Sequence, residues 1–193
     1  MTPYQKTAFE QFDKANQKDP NTEVWQGQSY PKELLYAIRM TEKLADFEPD
    51  ASETLQLAAR CQHICRWEIP RENYSMDRTG YLKWRQALQG FHVEKASAIL
   101  KEVGYDRETI DNVAFLLQKK QLKKNADTQI LEDVVCLIFL EFYFEDFSTK
   151  HPEEKQIGIL RKTWQKMSEK GHKAALQLSL SDRAMGLISK ALI

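Results

Sequence analysis

His63 lies in the run AARCQHICRWEIPR, residues 58–71, with Arg60, Arg66 and Arg71 around it and Trp67 close by. Imidazole titrates near neutrality, so it serves as a proton carrier or a metal ligand. Guanidinium groups bind phosphate or carboxylate through a bidentate fork. The basic and aromatic character continues through Tyr74, Arg78, Tyr81, Lys83, Trp84 and Arg85. Flat rings at such spacing stack on a base or hold an arginine in place. A nucleotide or another phosphorylated small molecule is the ligand these types predict. The plainer alternative is that Glu68, Glu72 and Asp77 pair with the arginines on the surface, where an ion pair contributes roughly 0–1 kcal/mol. Clustering beside a histidine and a long loop favours the site.

A second group stands in ILEDVVCLIFLEFYF, residues 130–144, which is apolar all round except for Glu132, Asp133 and Glu141. At least one carboxylate must therefore face the core. Burying an ionised carboxylate is costly unless a cation, a metal or a set of donors compensates it, so such a residue marks a candidate site. His92 borders the apolar stripe of Val93, Ala96, Ile99 and Leu100 on its own helix. A packed imidazole is its ordinary reading, and a ligand role requires the fold to bring it to His63 and Asp133. His151 and His172 sit at helix ends in polar surroundings and carry no expected role. No Walker loop, dinucleotide fingerprint, nucleophile elbow or HExxH motif is present in the sequence.

The elements that must position these residues read as helices throughout. Only 7 Gly and 6 Pro punctuate the chain, and apolar residues recur at helical spacing. Thr2-Pro3, Tyr30-Pro31 and His151-Pro152 mark helix starts; Asp50, Asp77, Asp106, Asp127 and Ser181 are N-cap candidates; Gly104 and Gly171 suit helix ends. About eight helices are expected, near 3–18, 31–47, 51–67, 79–103, 107–120, 128–147, 152–170 and 182–192. In the third of these His63 shares a stripe with Ala59, Arg66 and Trp67, with Arg60 one turn back. Residues 69–80, IPRENYSMDRTG, form the main irregular segment, of a length that usually carries function.

With 193 residues, 42% hydrophobic and 29% charged, the chain is expected to form one domain, 1–193, around a single core. Lys+Arg and Asp+Glu are both 28, so net charge gives no whole-molecule argument for nucleic acid, and an anion site must be local. RNA binding through Arg66, Trp67, Tyr74, Tyr81 and Trp84 is a weaker reading for that reason. Cys61, Cys65 and Cys136 suit reduced thiols in a cytoplasm. The polar N-terminus lacks a signal peptide, and residues 130–144 are too short and acidic to cross a bilayer, so a soluble cytoplasmic protein with no membrane contact is expected.

The order of segments resembles the HD-domain superfamily of all-helical, metal-dependent phosphohydrolases. AARCQHICR resembles the helix that carries that family's His-Asp pair, GFHVEKASAILKEVGYDRETIDNVAFLLQKK the following helices with further histidines, and ILEDVVCLIFLEF the closing aspartate helix. The resemblance spans roughly 31–147, with C-terminal helices 152–192 packed on that core. It departs at the pair's aspartate, which is Ile64 here, at the first-helix histidine, near Tyr36, and at one later histidine, which is Lys119. The resemblance implies that His63, His92 and Asp133 hold one divalent ion (Mn, Fe or Zn), with Glu132 assisting proton transfer. Arg66, Arg71 and Arg85 would then hold phosphate, with Arg60, Trp67, Tyr81, Trp84 and Lys119 as further substrate contacts. The competing expectation is a metal-free pseudoenzyme that binds a nucleotide, RNA or a protein partner, in which an arginine of the 60–85 segment neutralises Asp133. The strings HICRWEIPRENY, GYLKWR, LEDVVCLIFLEFYF and RKTWQKMS also resemble an uncharacterised family, the domain of unknown function 4202, which implies no activity.

Overall fold

Thr2 and Pro3 start the first helix as their types require. The Thr2 hydroxyl accepts the Gln5 N–H at 3.1 Å, and Pro3 fills a first-turn position whose N–H has no partner within the helix. In the computed structural model, which describes residues 1–192, this helix is α1 (Pro3–Asn16). A hairpin of β1 (Thr22–Trp25) and β2 (Gln28–Pro31) follows, in the register Glu23 to Tyr30 and Trp25 to Gln28. Gln26 and Gly27 both have positive φ, 49° and 77°, which a two-residue turn of this hand demands. The sequence pattern missed this hairpin because its strands are only four residues long and largely exposed. Pro31 accordingly closes a strand, and α2 (Lys32–Phe47) begins after it.

The remaining helices are α3 (Glu53–Arg60), α4 (Arg78–Val103), α5 (Arg107–Leu117), α6 (Ala126–Ile138), α7 (Phe144–Thr149), α8 (Glu153–Lys166), α9 (Glu169–Ala175) and α10 (Asp182–Leu192). The chain is all-α apart from the hairpin, as its periodicity predicts. Its internal contacts divide it into two compact units, residues 1–42 with 50–120, and residues 43–49 with the chain from 121 onward. In the first unit α4 packs on α5 and α1, and α3 packs on α1 and α5. Phe12, Leu35, Met40, Leu55, Leu57, Ile64 and Leu100 are fully buried there. In the second unit α6 packs on α8 and α9, and α8 packs on α10. Its fully buried side chains include Leu131, Leu137, Ile138 and Phe144.

Two predicted helices are interrupted. The helix expected over 51–67 stops at Arg60 and continues as turns through Cys65, which adopts a left-handed conformation at φ 53°. Asn16, 1% exposed, draws the chain away from the helical ladder, because its Oδ1 accepts the Cys65 N–H at 3.0 Å. The helix expected over 128–147 contains a π-helical turn, Phe139–Tyr143. That wider turn rotates Phe144 toward Phe139 and Phe147, with ring centroids 5.9 Å and 6.4 Å away. Smaller corrections follow the same chemistry. Ser52 and Asn125 serve as N-caps in place of Asp50 and Asp127, and Gly171 lies inside α9. Asp77, Asp106 and Ser181 cap as expected, and Gly104 ends α4 at φ 100°. Among the described residues no helix is long and apolar enough to cross a membrane.

Candidate functional site

The break after Arg60 decides which residues surround His63. Asn16 fixes the turn from both sides: its Nδ2 donates to the Glu33 carbonyl at 3.4 Å while its Oδ1 holds Cys65. His63 thereby leaves the stripe expected with Ala59 and lies against α2. Tyr36 stacks on the imidazole at 4.1 Å with rings 15° apart. Arg66 places one guanidinium nitrogen 3.3 Å from His63 Nδ1 and 3.1 Å from Nε2. An atom so close to both nitrogens would overlap Cε1 if it lay in the ring plane, so the guanidinium lies over the face opposite Tyr36. Its other side meets Trp84, 5.0 Å from the ring centroid.

Trp84 is held in turn. It is 8% exposed, and its Nε1–H donates to the Ile69 carbonyl at 2.8 Å. Arg71 secures the loop that leads into α4, donating to the carbonyls of Tyr74, Ser75 and Asp77. Asp77 caps α4 through the Gly80 N–H at 2.6 Å, a bond that, with the Ser75 hydroxyl, lowers its carboxyl below the ordinary range.

Beside His63 a cavity of about 250 Å³ opens between the 61–65 turn, α4 and the end of α5. Arg66, Arg85 and Lys119 line it together with His63, His92 and Gln62, and no Asp or Glu does among the described residues. Arg85 is half-buried and makes no hydrogen bond or ion pair among the described residues. Lys119 reaches the rim from a left-handed backbone, φ 51°, just after α5. The His63 and His92 rings lie 5.9 Å apart, and the Ile64 carbonyl accepts the His92 Nδ1–H at 2.9 Å.

Burial, followed by the charges of Arg66, His92, Arg85 and Lys119, lowers the His63 pKa well below its ordinary value. His92 falls to about 4, chiefly through burial, so both imidazoles are neutral at pH 7. Behind His63, Glu33 places Oε2 3.6 Å from Nδ1. Burial raises this carboxyl to about 7 against the opposing charge of Arg66. The two shifts thus oppose each other: just below neutrality the folded pair carries its proton on Glu33, whereas the unfolded groups carry it on His63.

The other candidates do different work. Arg60 forms a bidentate pair with Asp13, at 2.8 Å and 2.6 Å, and is not in the cavity lining. Trp67 is half-buried outside the lining, and Tyr81 is exposed with its ring 5.9 Å from Trp84. Glu132 and Asp133 are both buried, where the apolar helix requires at least one carboxylate to be, and they belong to the second unit. Glu132 lies 3.4 Å from the Lys166 amine. Asp133 accepts the Ser168 N–H at 2.8 Å, the Ser168 hydroxyl at 2.5 Å and the Gln129 amide at 3.1 Å. Ser168 caps α9 in the same arrangement by accepting the Gly171 N–H. Donors rather than an arginine therefore compensate the buried charge of Asp133.

These residues do not fit the ion that the HD resemblance implies. Among the described residues no three His, Cys, Asp or Glu side chains stand together as a donor set. His63 and His92 do meet, whereas both oxygens of Asp133 are engaged by Ser168 and Gln129. Sequence reasoning missed Gln62 and Glu33, because neutral polar side chains and a first-turn glutamate leave no periodic signal. No curated protein and no solved structure matches the chain. A family model described as a domain of unknown function (DUF4202) matches residues 6–188, and the chain belongs to that family.

Proposed function

We propose that this member of the DUF4202 family binds a small phosphorylated molecule in the His63 cavity, with Arg85, Arg66 and Lys119 holding its phosphate. Arg85 carries the reading: a half-buried guanidinium that lines a cavity with two further cations and no carboxylate, and that has no anion of its own. Removing a guanidinium from water without an anion is unfavourable, and a bound phosphate offsets that loss through charge-assisted hydrogen bonds. Arg66 is already oriented between His63 and Trp84, so little side-chain freedom remains to be lost on binding. No metal ion enters this reading.

The test is isothermal titration of the full chain with phosphate monoesters. A hydrogen bond to a charged group contributes about 1.5–3 kcal/mol, so Arg85→Ala should weaken binding about ten- to a hundredfold with an unchanged melting temperature. Wild-type affinity in that variant refutes the reading. Hydrolysis of the ligand is a second reading, favoured by a neutral His63 that lines the cavity with Glu33 behind Nδ1. In that reading His63 accepts a proton from the attacking water. It requires His63→Asn to abolish phosphate release while ligand binding persists.

A further inference from the structure

The cavity lining also holds a neutral pair able to accept hydrogen bonds, Gln62 and His92. From it we infer that the ligand is a phosphate monoester that carries hydroxyl groups, of the size of a pentose or hexose phosphate. This rests on the phosphate reading above and names the class of molecule that reading leaves open.

Gln62 is the central observation. It is 5% exposed, lines the cavity, and its Oε1 is buried with no hydrogen-bond partner among the described residues. Native proteins seldom keep such an atom, because a buried acceptor forfeits its water without replacement. A ligand O–H directed at the amide supplies the missing partner. His92 adds a second acceptor. Its Nδ1–H is committed to the Ile64 carbonyl, so the lone pair stands on Nε2 of a second buried ring lining the same cavity. Sulfate and carboxylate bring no donor to these atoms. A sugar hydroxyl donates one hydrogen and also accepts, which suits an amide that offers both.

Size and lining narrow the class further. About 250 Å³ is room for about eight waters at ~30 Å³ each, and it lies just below the ~300–1,000 Å³ of sites for drug-sized ligands. A phosphate and one five- or six-membered ring fit that space, and a dinucleotide does not. No Phe, Tyr or Trp lines the cavity among the described residues, so a nucleobase would lack the stacking surface it ordinarily receives. Arg85, Arg66 and Lys119 then take the phosphate while Gln62 and His92 take ring hydroxyls.

Titration calorimetry on the full chain compares ribose 5-phosphate, glucose 6-phosphate, ethyl phosphate and inorganic phosphate. At least one sugar phosphate should bind tenfold or more tightly than ethyl phosphate. In Gln62→Leu that ratio should collapse at least threefold with the ethyl phosphate affinity unchanged, and the ligand-free melting temperature should be at or above wild type. Gln62→Met, unbranched and close in volume, reads the same ratio if the leucine variant does not fold. Arg85→Ala should weaken the sugar and ethyl esters by the same factor. Equal wild-type affinity for ethyl and sugar phosphates, or a ratio untouched by either Gln62 variant, overturns the inference and leaves the phosphate reading standing. Binding of none of the four probes, or binding insensitive to Arg85→Ala, overturns both.

Discussion

Replacing Asp133 separates a carboxylate that holds the fold from one that serves a reaction. In the structure Oδ1 accepts the Ser168 N–H and the Gln129 amide, and Oδ2 accepts the Ser168 hydroxyl. Asparagine keeps an oxygen at the first position and puts an amine at the second. Two bonds then lose their charge assistance, roughly 1 kcal/mol each on the difference between charged and neutral acceptors. The Ser168 hydroxyl loses its acceptor as well, while still accepting the Gly171 N–H that caps α9. Relief of the carboxylate's own burial offsets part of this, which leaves a destabilisation of about 2 kcal/mol for Asp133→Asn. Asp133→Ala removes every acceptor, strands the Ser168 and Gln129 donors and should cost about 3–5 kcal/mol. For a chain of this length 1 kcal/mol corresponds to about 2–4 °C in melting temperature. Thermal and urea unfolding followed by circular dichroism should rank wild type above Asn above Ala, with phosphate-ester affinity at the His63 cavity unchanged where the protein is folded. An Asn variant that melts with wild type yet loses a function would refute this account and return Asp133 to a reactive role.

Four further outcomes follow from other contacts of the structure. A Cβ on Gly171 would lie 2.6 Å from Asp133 Oδ1, so Gly171→Ala should destabilise by about 1–3 kcal/mol despite alanine's better helix propensity; equal or greater stability in urea refutes the close approach. His92 titrates at about 4 in the fold against 6.5 as the ordinary value, so its stabilisation is complete above pH 6.5 and is lost as pH falls toward 4, at about 1.4 kcal/mol per pH unit. In Glu33→Gln the carboxyl whose raised pKa opposes the lowered pKa of His63 is gone, so stability should fall more steeply than in wild type as pH drops below 6.5; an unchanged slope in urea melts at stepped pH refutes the opposed shifts. Arg60→Ala should lower the melting temperature through the lost Asp13 pair and leave phosphate-ester affinity at its wild-type value, and a loss of affinity would place Arg60 in the site after all.

The sequence was most informative where one interaction dominates a position. Asp77 and Asp106 cap helices because a short carboxylate next to free N–H groups has few competing options, and Gly104 ends α4 because its φ of 100° excludes side chains. The burial of at least one carboxylate among Glu132, Asp133 and Glu141 was legible because a helix apolar all round leaves no polar face for all three, and Glu132 and Asp133 are the two buried. Their partners were not legible, since Ser168 and Gln129 are ordinary surface types whose proximity only tertiary packing creates. The His63 region shows the limit most clearly. A helical wheel places Arg60 and Arg66 on one functional rim, but a single buried asparagine, Asn16, almost fifty residues upstream, ends the helix between them. One arginine then pairs with Asp13, and the other is clamped between His63 and Trp84. Residue types foretold a basic, histidine-bearing cluster. Which arginines reach the cavity depends on a long-range hydrogen bond that no local pattern encodes, and the same bond makes Asn16 a determinant of the shape of the 61–65 turn without its lining the cavity.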